Sequence, residues 1–314
     1  MQAVILAAGK GTRLRPVTAK RSKAMVPILG RPLAERALMP FVEHGISDIV
    51  FVISDDDAEI ERHFTESTEL DIDAQFVIQN ERLGMAHALG LAAPLLSGKF
   101  VVSACDSLVS SSHVRQLLDA ADGADVVLSL LDVDPELVSR SAAVELDGDR
   151  VRRIVEKPTL DEAPSHTVSL SHYIFGPWLM DLLPQVEASA RGEYEIQDAI
   201  QALIDAGGRV VGVRAAERRQ VSTPEDLLGL TRDLLSSESD REGNRPEMVG
   251  RDTRFIEPVH IENGTQIGDG CEVGPEVFLE SGCRIGDGAV VRRSIVLRRG
   301  RVEDGAKIED QVVV

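Results

Sequence analysis

The chain has 314 residues, 43% of them hydrophobic and 27% charged, a composition that excludes wholesale disorder and points to two domains. With 34 Lys and Arg against 52 Asp and Glu, the formal charge is −18 and the isoelectric point is near 4.8, a field that repels nucleic acid and anionic lipid. No apolar run approaches the ~18 residues of a membrane span, and Cys105, Cys271 and Cys283 form neither a Cys-x-x-Cys pair nor an even framework, so a cytoplasmic protein without disulfides or structural zinc is expected.

The chain opens on an apolar run lacking the basic lead-in of a secretory signal, so export is not expected. Short β-branched runs then predict strands at residues 3–7, 48–53, 74–78, 100–104, 125–131, 172–175 and 209–213. Amphipathic stretches predict helices at 33–44, 57–64, 86–96, 113–121 and 195–206. Such alternation argues an α/β domain with a mostly parallel sheet. One more helix opens at Pro224, with Thr223 as its N-cap, and runs to about 235. Polar residues follow, with Gly243 and Pro246 among them. These features divide the chain into an α/β domain at 1–235, a linker at 236–249 and a tail at 250–314.

In the tail the period becomes six. Ile261, Ile267, Val273, Leu279, Ile285 and Val291 keep it without exception, and after one five-residue step Val296, Val302, Ile308 and Val314 resume it. Gly-Asp-Gly after Ile267 and Ile285 supplies corner residues. This is the hexapeptide signature of a parallel β-helix, with three hexapeptides to each coil and about three coils in all.

The sharpest local signal lies at residues 6–18, Leu6-Ala7-Ala8-Gly9-Lys10-Gly11-Thr12-Arg13-Leu14-Arg15-Pro16-Val17-Thr18, followed by Lys23, Met25 and Pro27. A strand running into glycines presents N–H groups that no Cβ obstructs, a concavity suited to phosphates, with Arg13 and Lys23 near enough to add charge. It is neither a Walker loop nor a dinucleotide fingerprint, and standing alone it also reads as an ordinary turn with solvated basic residues. Likewise Gln79 reads as a polar loop residue, Asp106 as a turn former ending an apolar strand, and Glu193 as part of a capped, acidic helix start.

The opening motif resembles that of the sugar-1-phosphate nucleotidyltransferases, the nucleotide-sugar pyrophosphorylases, over roughly residues 1–235, and the tail is similar to the left-handed β-helix appended to many of them. The resemblance implies a Rossmann-like domain in which Leu6, Ala8, Gly9, Gly11, Thr12 and Arg13 hold the nucleotide. Gln79 and Gly84, in Gln79-Asn80-Glu81-Arg82-Leu83-Gly84, would read the uracil or thymine edge. Asp106 would hold Mg²⁺, and Arg13 and Lys23 would stabilise the α-phosphate and departing pyrophosphate. Lys157, in Glu156-Lys157-Pro158, would grip the phosphate of a hexose 1-phosphate, while Glu156 and Glu193 take sugar hydroxyls.

Departures from the family pattern fall at Ala142 and Ser171, where glycines are usual, and at Gln220 or Ser222, where a second metal carboxylate is usual. The implied reaction makes a nucleotide sugar and pyrophosphate from UTP or dTTP and a glucose-1-phosphate-class sugar. Its rivals are a degenerate regulatory subunit of the same fold and a bifunctional enzyme whose tail transfers acetyl groups. With His260 the tail's only histidine, homo-oligomerisation is the better use of the β-helix.

Overall fold

The computed structural model describes residues 1–55, 57–237 and 248–314 and divides into two compact units, Met1–Gly9 with Ala34–Arg219 and Lys10–Leu33 with Gln220–Val314. Lys10–Leu33 thus groups with the tail, although the strand and helix pattern counts it with residues 1–235.

The first unit is built on nine strands. Apolar, β-branched runs form β1 (Gln2–Leu6), β2 (Asp48–Ile53), β3 (Asp73–Ile78) and β4 (Phe100–Ala104), which pair in parallel. β5 (Val126–Asp132), β6 (Ala142–Asp147), β7 (Arg150–Glu156), β8 (Thr167–Phe175) and β9 (Val210–Arg214) extend the sheet in the order β3-β2-β1-β4-β8-β5-β9-β7-β6. β5 and β9 are parallel, but β8 runs antiparallel to β4, β5 and β6, and β7 to β6 and β9. The sheet is therefore mixed but mostly parallel in direction, as the sequence pattern suggests, with only β7 and β8 running against the other strands. The β6–β7 hairpin that the pattern passes over turns on Gly148 at φ 64°, the left-handed conformation a two-residue hairpin asks for.

Apolar stripes of α2 (Met85–Ala92) and α4 (Ile196–Asp205) cover the sheet, so that Leu89, Ala92, Ile196 and Ile200 share one core with Val4, Phe100 and Phe175. The remaining long helices include α1 (Leu33–Val42) and α3 (Ser111–Ala120), the latter capped by the Ser110 hydroxyl on the His113 amide at 3.2 Å.

In the second unit, α5 (Pro224–Ser237) begins with a reciprocal cap. Thr223 Oγ1 accepts from the Asp226 amide at 3.2 Å, and the Asp226 carboxylate accepts from the Ser222 and Thr223 amides at 2.8 Å each. The tail forms three four-stranded parallel sheets, as a β-helix requires. Their ladders of paired residues read Val249, Ile267, Ile285, Val302, then Phe255, Val273, Val291, Ile308, then Ile261, Leu279, Val296, Val313.

Two details depart from expectation. The ladders begin at Met248–Val249, so coils start earlier and number nearly four. A second five-residue step puts Val313 in register and leaves Val314 exposed. Of the expected linker at 236–249, residues 238–247 lie outside the described residues, 236–237 belong to α5 and 248–249 to the β-helix. The Gly-Asp-Gly corners are tight. A Cβ at Gly268 would collide with Asp287 Oδ1, and that oxygen accepts the Asp269 amide at 2.9 Å, coil upon coil.

Candidate active site

Register places the loops after β1, β2, β3 and β4 on one edge. The Ala7 amide donates to Val52 O at 2.8 Å, Gln79 to Ile53 O at 2.8 Å and Cys105 to Leu6 O at 3.1 Å. The segments carrying Ala8–Gly9, Gln79 and Asp106 therefore leave the carboxyl ends of neighbouring parallel strands, where open α/β sheets collect their ligands. Gly9 has nothing within 4 Å of where a Cβ would sit, which leaves room for a ligand at the backbone. Leu6 is half-buried and Ala8 buried; Asp106 is half-buried in the turn after β4.

The Gln79 side chain is buried. Its amide nitrogen donates to His87 Nδ1 at 3.0 Å and to Gly84 O at 3.4 Å. The Gly84 carbonyl can only accept, so it fixes the amide orientation and commits both N–H groups to the protein. Only the amide oxygen remains to read a ligand, whereas the residue type alone offers both donor and acceptor. His87 is the partner that the sequence reading misses.

Gly84 sits at φ 100°, ψ 178°, a region essentially closed to other residues. A Cβ there would come within 2.6 Å of Tyr194 O. Two segments interlock at this point, the Tyr194 amide donating to Leu83 O at 2.7 Å and the Ala86 amide to Tyr194 O at 3.0 Å, while Arg82 Nε donates to Ala8 O at 2.6 Å. Three motifs read separately in the sequence are thus one construction. Gly84→Ala is expected to cost about 2 kcal/mol or more from strain alone, seen by calorimetry as a Tm fall of roughly 5 °C; an unchanged Tm would contradict the interlock.

On the mixed half of the sheet, Glu156 pairs with Ala142 and Ala142 with Ser169. Lys157, just past β7, takes a left-handed φ of 44°, its amide donating to Ser141 O at 3.1 Å, and its Nζ lies 3.2 Å from Glu156 Oε1. Burial raises the Glu156 pKa against the opposing pull of Lys157, and Glu195 adds to the rise. Glu195, buried at the start of α4, accepts from Arg191 Nη2 at 2.7 Å. Asp198 is likewise raised, by burial first and Glu195 second.

Tyr173, hydrogen-bonded to Ser169 and Gln197, is pushed up to about 12 by burial. Ser171 lies where the pairing of β8 with β5 shifts register, between Ser169 and Tyr173, and is half-buried. Glu193 is half-buried, and its carbonyl accepts from the Ser189 amide at 2.9 Å. The sequence reading singles out Glu193 here; the buried charge coupled to Glu156 is Glu195. The combination of acceptor carboxylates with Lys157 suits a polyhydroxylated, phosphorylated ligand.

A family model described as nucleotidyl transferase matches residues 2–237, and one described as the GMPPB C-terminal domain matches 255–314. The chain belongs to the nucleotidyl transferase family. It is 33% identical to UTP–glucose-1-phosphate uridylyltransferase AglF of Haloferax volcanii over 72% of this chain and 93% of that protein. It is 29% identical to a glucose-1-phosphate thymidylyltransferase of Streptomyces griseus over 88% of this chain and 77% of that one. The fold matches a crystal structure of UDP-glucose pyrophosphorylase complexed with UDP-glucose, with TM-score 0.69 and 22% identity, covering 75% of this chain and 98% of that one.

This nucleotidyl transferase carries the rest of its opening motif in the second unit. Gly11, at φ 59°, caps the single turn Thr12–Leu14, and a Cβ there would stand 3.0 Å from Lys23 Cβ and Thr18 Cγ2. Thr18 Oγ1 donates to Gly11 O at 2.7 Å. Thr12 and Arg13 are exposed, and Lys23 is buried beside Gly11.

Among the described residues no three His, Cys, Asp or Glu side chains gather to hold a metal. Asp106 brings a single hard carboxylate donor. That set fits Mg²⁺, which commonly takes one or two protein carboxylates and completes its octahedron with water and substrate phosphates. Behind Asp106, buried His172 donates from Nε2 to Ser107 O at 3.1 Å, and burial holds its pKa down at about 4, so the imidazole is neutral.

Proposed function

We propose that the chain transfers a nucleotidyl group from UTP or dTTP to a hexose 1-phosphate of the glucose class, giving a nucleotide sugar and pyrophosphate. The observation that carries this reading is the interlocked Gln79–Gly84 and Tyr194 construction at the carboxyl ends of the parallel strands. Similarity to AglF and to the thymidylyltransferase supports the substrate class.

A phosphate oxygen of the sugar attacks the α-phosphorus in line, and the bond to the β-phosphate oxygen breaks as pyrophosphate leaves. The sugar phosphate is already ionised near neutral pH, so no general base is required, and the protein's part is positioning and charge neutralisation. Lys157 aims the incoming phosphate. Glu156, Glu193 and Glu195 accept sugar hydroxyls beside Ala142 and Ser171. Arg13 and Lys23 neutralise the α-phosphate and the leaving group, with Leu6, Ala8, Gly9, Gly11 and Thr12 shaping the nucleotide's bed. Asp106 would hold Mg²⁺, which supplies charge neutralisation along the triphosphate when bound. To the same reading belong a homo-oligomer assembled through the β-helix and a cytoplasmic setting, in which the free cysteines Cys105, Cys271 and Cys283, all buried, would stay reduced.

The test is pyrophosphate release across UTP, dTTP, GTP and ATP with several hexose 1-phosphates. Uracil and thymine present an N3–H that the Gln79 amide oxygen can accept. Gln79→Ala is therefore expected to narrow the pyrimidine preference by roughly tenfold, the worth of one hydrogen bond to a buried partner. A wild-type preference for a purine nucleotide would overturn the base assignment, and nucleotide binding without turnover would favour the regulatory-subunit reading.

A further inference from the structure

The second unit contains a buried carboxylate with two guanidinium partners. Glu280, 2% exposed at its side chain, follows the strand Val277–Leu279 of the β-helix. Arg21 reaches it from Lys10–Leu33 with both terminal nitrogens, Nη1 to Oε1 at 3.0 Å and Nη2 to Oε2 at 3.1 Å. Arg298 adds its backbone amide to Oε2 at 2.7 Å and its Nε to Oε1 at 3.3 Å. Nearby, Glu262 Oε2 accepts from the Ser281 amide at 2.8 Å. A Cβ on Gly30 would stand 3.5 Å from His260 Nε2 and 3.6 Å from Glu262 Oε1. The segment Lys10–Leu33 therefore lies against the tail at two points, Arg21 and Gly30.

Arg21 falls between Thr18, which is tied to Gly11, and Lys23, which is packed under Gly11. Holding Arg21 thus fixes both sides of the turn that presents Arg13 and Lys23. A bidentate guanidinium–carboxylate contact constrains direction as well as distance, and its burial makes the geometry costly to leave. Such a contact is suited to holding a short irregular segment that has little secondary structure of its own.

We propose that Arg21 and Glu280 are positioning residues for the nucleotide: the β-helix acts as a template that keeps the Gly11-to-Lys23 turn in its triphosphate-binding shape, and so belongs to the nucleotide site. This rests on the assignment of that turn to the triphosphate. The pair touches neither substrate, and its effect passes through Arg13 and Lys23. It follows that disturbing the pair affects the nucleotide and spares the sugar phosphate.

The experiment compares wild type with Arg21→Met, Arg21→Lys and Glu280→Gln, the last keeping an acceptor for the Arg298 amide if the tail tolerates no larger change. Expected for Arg21→Met is a KM for the nucleotide raised about tenfold or more, the scale on which distant misplacement acts. The KM for sugar phosphate should stay within about twofold, amide exchange should be faster across Lys10–Leu33, and Arg21→Lys should recover only part of the loss. An active wild type with unchanged nucleotide KM in both Arg21→Met and Glu280→Gln, or with both KM values raised alike, would overturn the proposal.

If instead wild type is silent with every nucleotide, the catalytic reading has failed, and UTP protection of Lys10–Leu33 against exchange decides separately. Protection lost in Arg21→Met supports the template; protection kept overturns it.

Discussion

Asp106→Asn is expected to reduce pyrophosphate release at least about a thousandfold while leaving the fold and Tm near those of wild type. Asn has the same shape, so the turn after β4 and its support from the His172 to Ser107 hydrogen bond survive. What is lost is the charge. Where two carboxylates share a metal, one can partly cover for the other, but Gln220 and Ser222 stand where the second is usual. Mg²⁺ dehydrates reluctantly and is then left with neutral protein oxygens and the substrate's own phosphates. Removing charge stabilisation at the developing transition state commonly costs a hundredfold to a thousandfold for a single neutral donor, and a full charge sets the higher figure.

The same reasoning predicts a raised Mg²⁺ requirement in wild type, and a lower one in whichever of Gln220→Asp and Ser222→Asp faces the metal. Asp106→Asn activity within tenfold of wild type, at saturating substrates and matched Mg²⁺, would remove Asp106 from the metal role.

How much of this is legible without coordinates varies by residue. The strands Asp48–Ile53 and Phe100–Ala104 stand where the apolar runs put them, because a strand buried on both faces needs an uninterrupted apolar run. The β-helix declares itself by period, and Val249 and Phe255 continue that period backward, a signal that marks the extra coil. Val313 cannot be found that way, since Val312, Val313 and Val314 are all apolar and give no contrast to mark the second five-residue step. The β6–β7 hairpin is masked by Arg150, Arg152 and Arg153 and by a register shift between Val151 and Arg153.

At the site, residue types are legible and their pairings are not. Gln79 is legible as an amide at the end of a strand, but that its nitrogen is spent on His87 and Gly84 depends on a loop closed against Tyr194. Glu195 looks like the start of a helix, and only burial beside Arg191 and Glu156 makes it part of a charged cluster. Arg21 and Glu280 lie 259 positions apart, beyond the reach of any local pattern.

Lys157→Ala is expected to raise the KM for the sugar phosphate about a hundredfold while leaving that for the nucleotide within about threefold. Glu156, Glu195 and Asp198 bring negative charge to this half of the sheet, and a phosphate dianion arriving there meets repulsion unless a cation faces it. Arg191 is engaged with Glu195 at 2.7 Å and Lys157 more loosely with Glu156 at 3.2 Å, and the direction of Lys157 is set by a left-handed backbone and the hydrogen bond to Ser141.

Removing Lys157 also removes the pull that holds Glu156 down against burial. The Glu156 pKa then rises further, and because the carboxylate must be ionised to accept sugar hydroxyls fully, activity in the variant should fail at a higher pH on the acidic side than in wild type. Lys157→Arg keeps the charge but replaces a compact ammonium with a planar fork, and should recover the pH limb more completely than the KM. Initial rates against each substrate over a pH series separate these outcomes. Equal rises in both KM values, with an unmoved acidic limb, would mean that Lys157 supports the fold and does not meet the sugar phosphate.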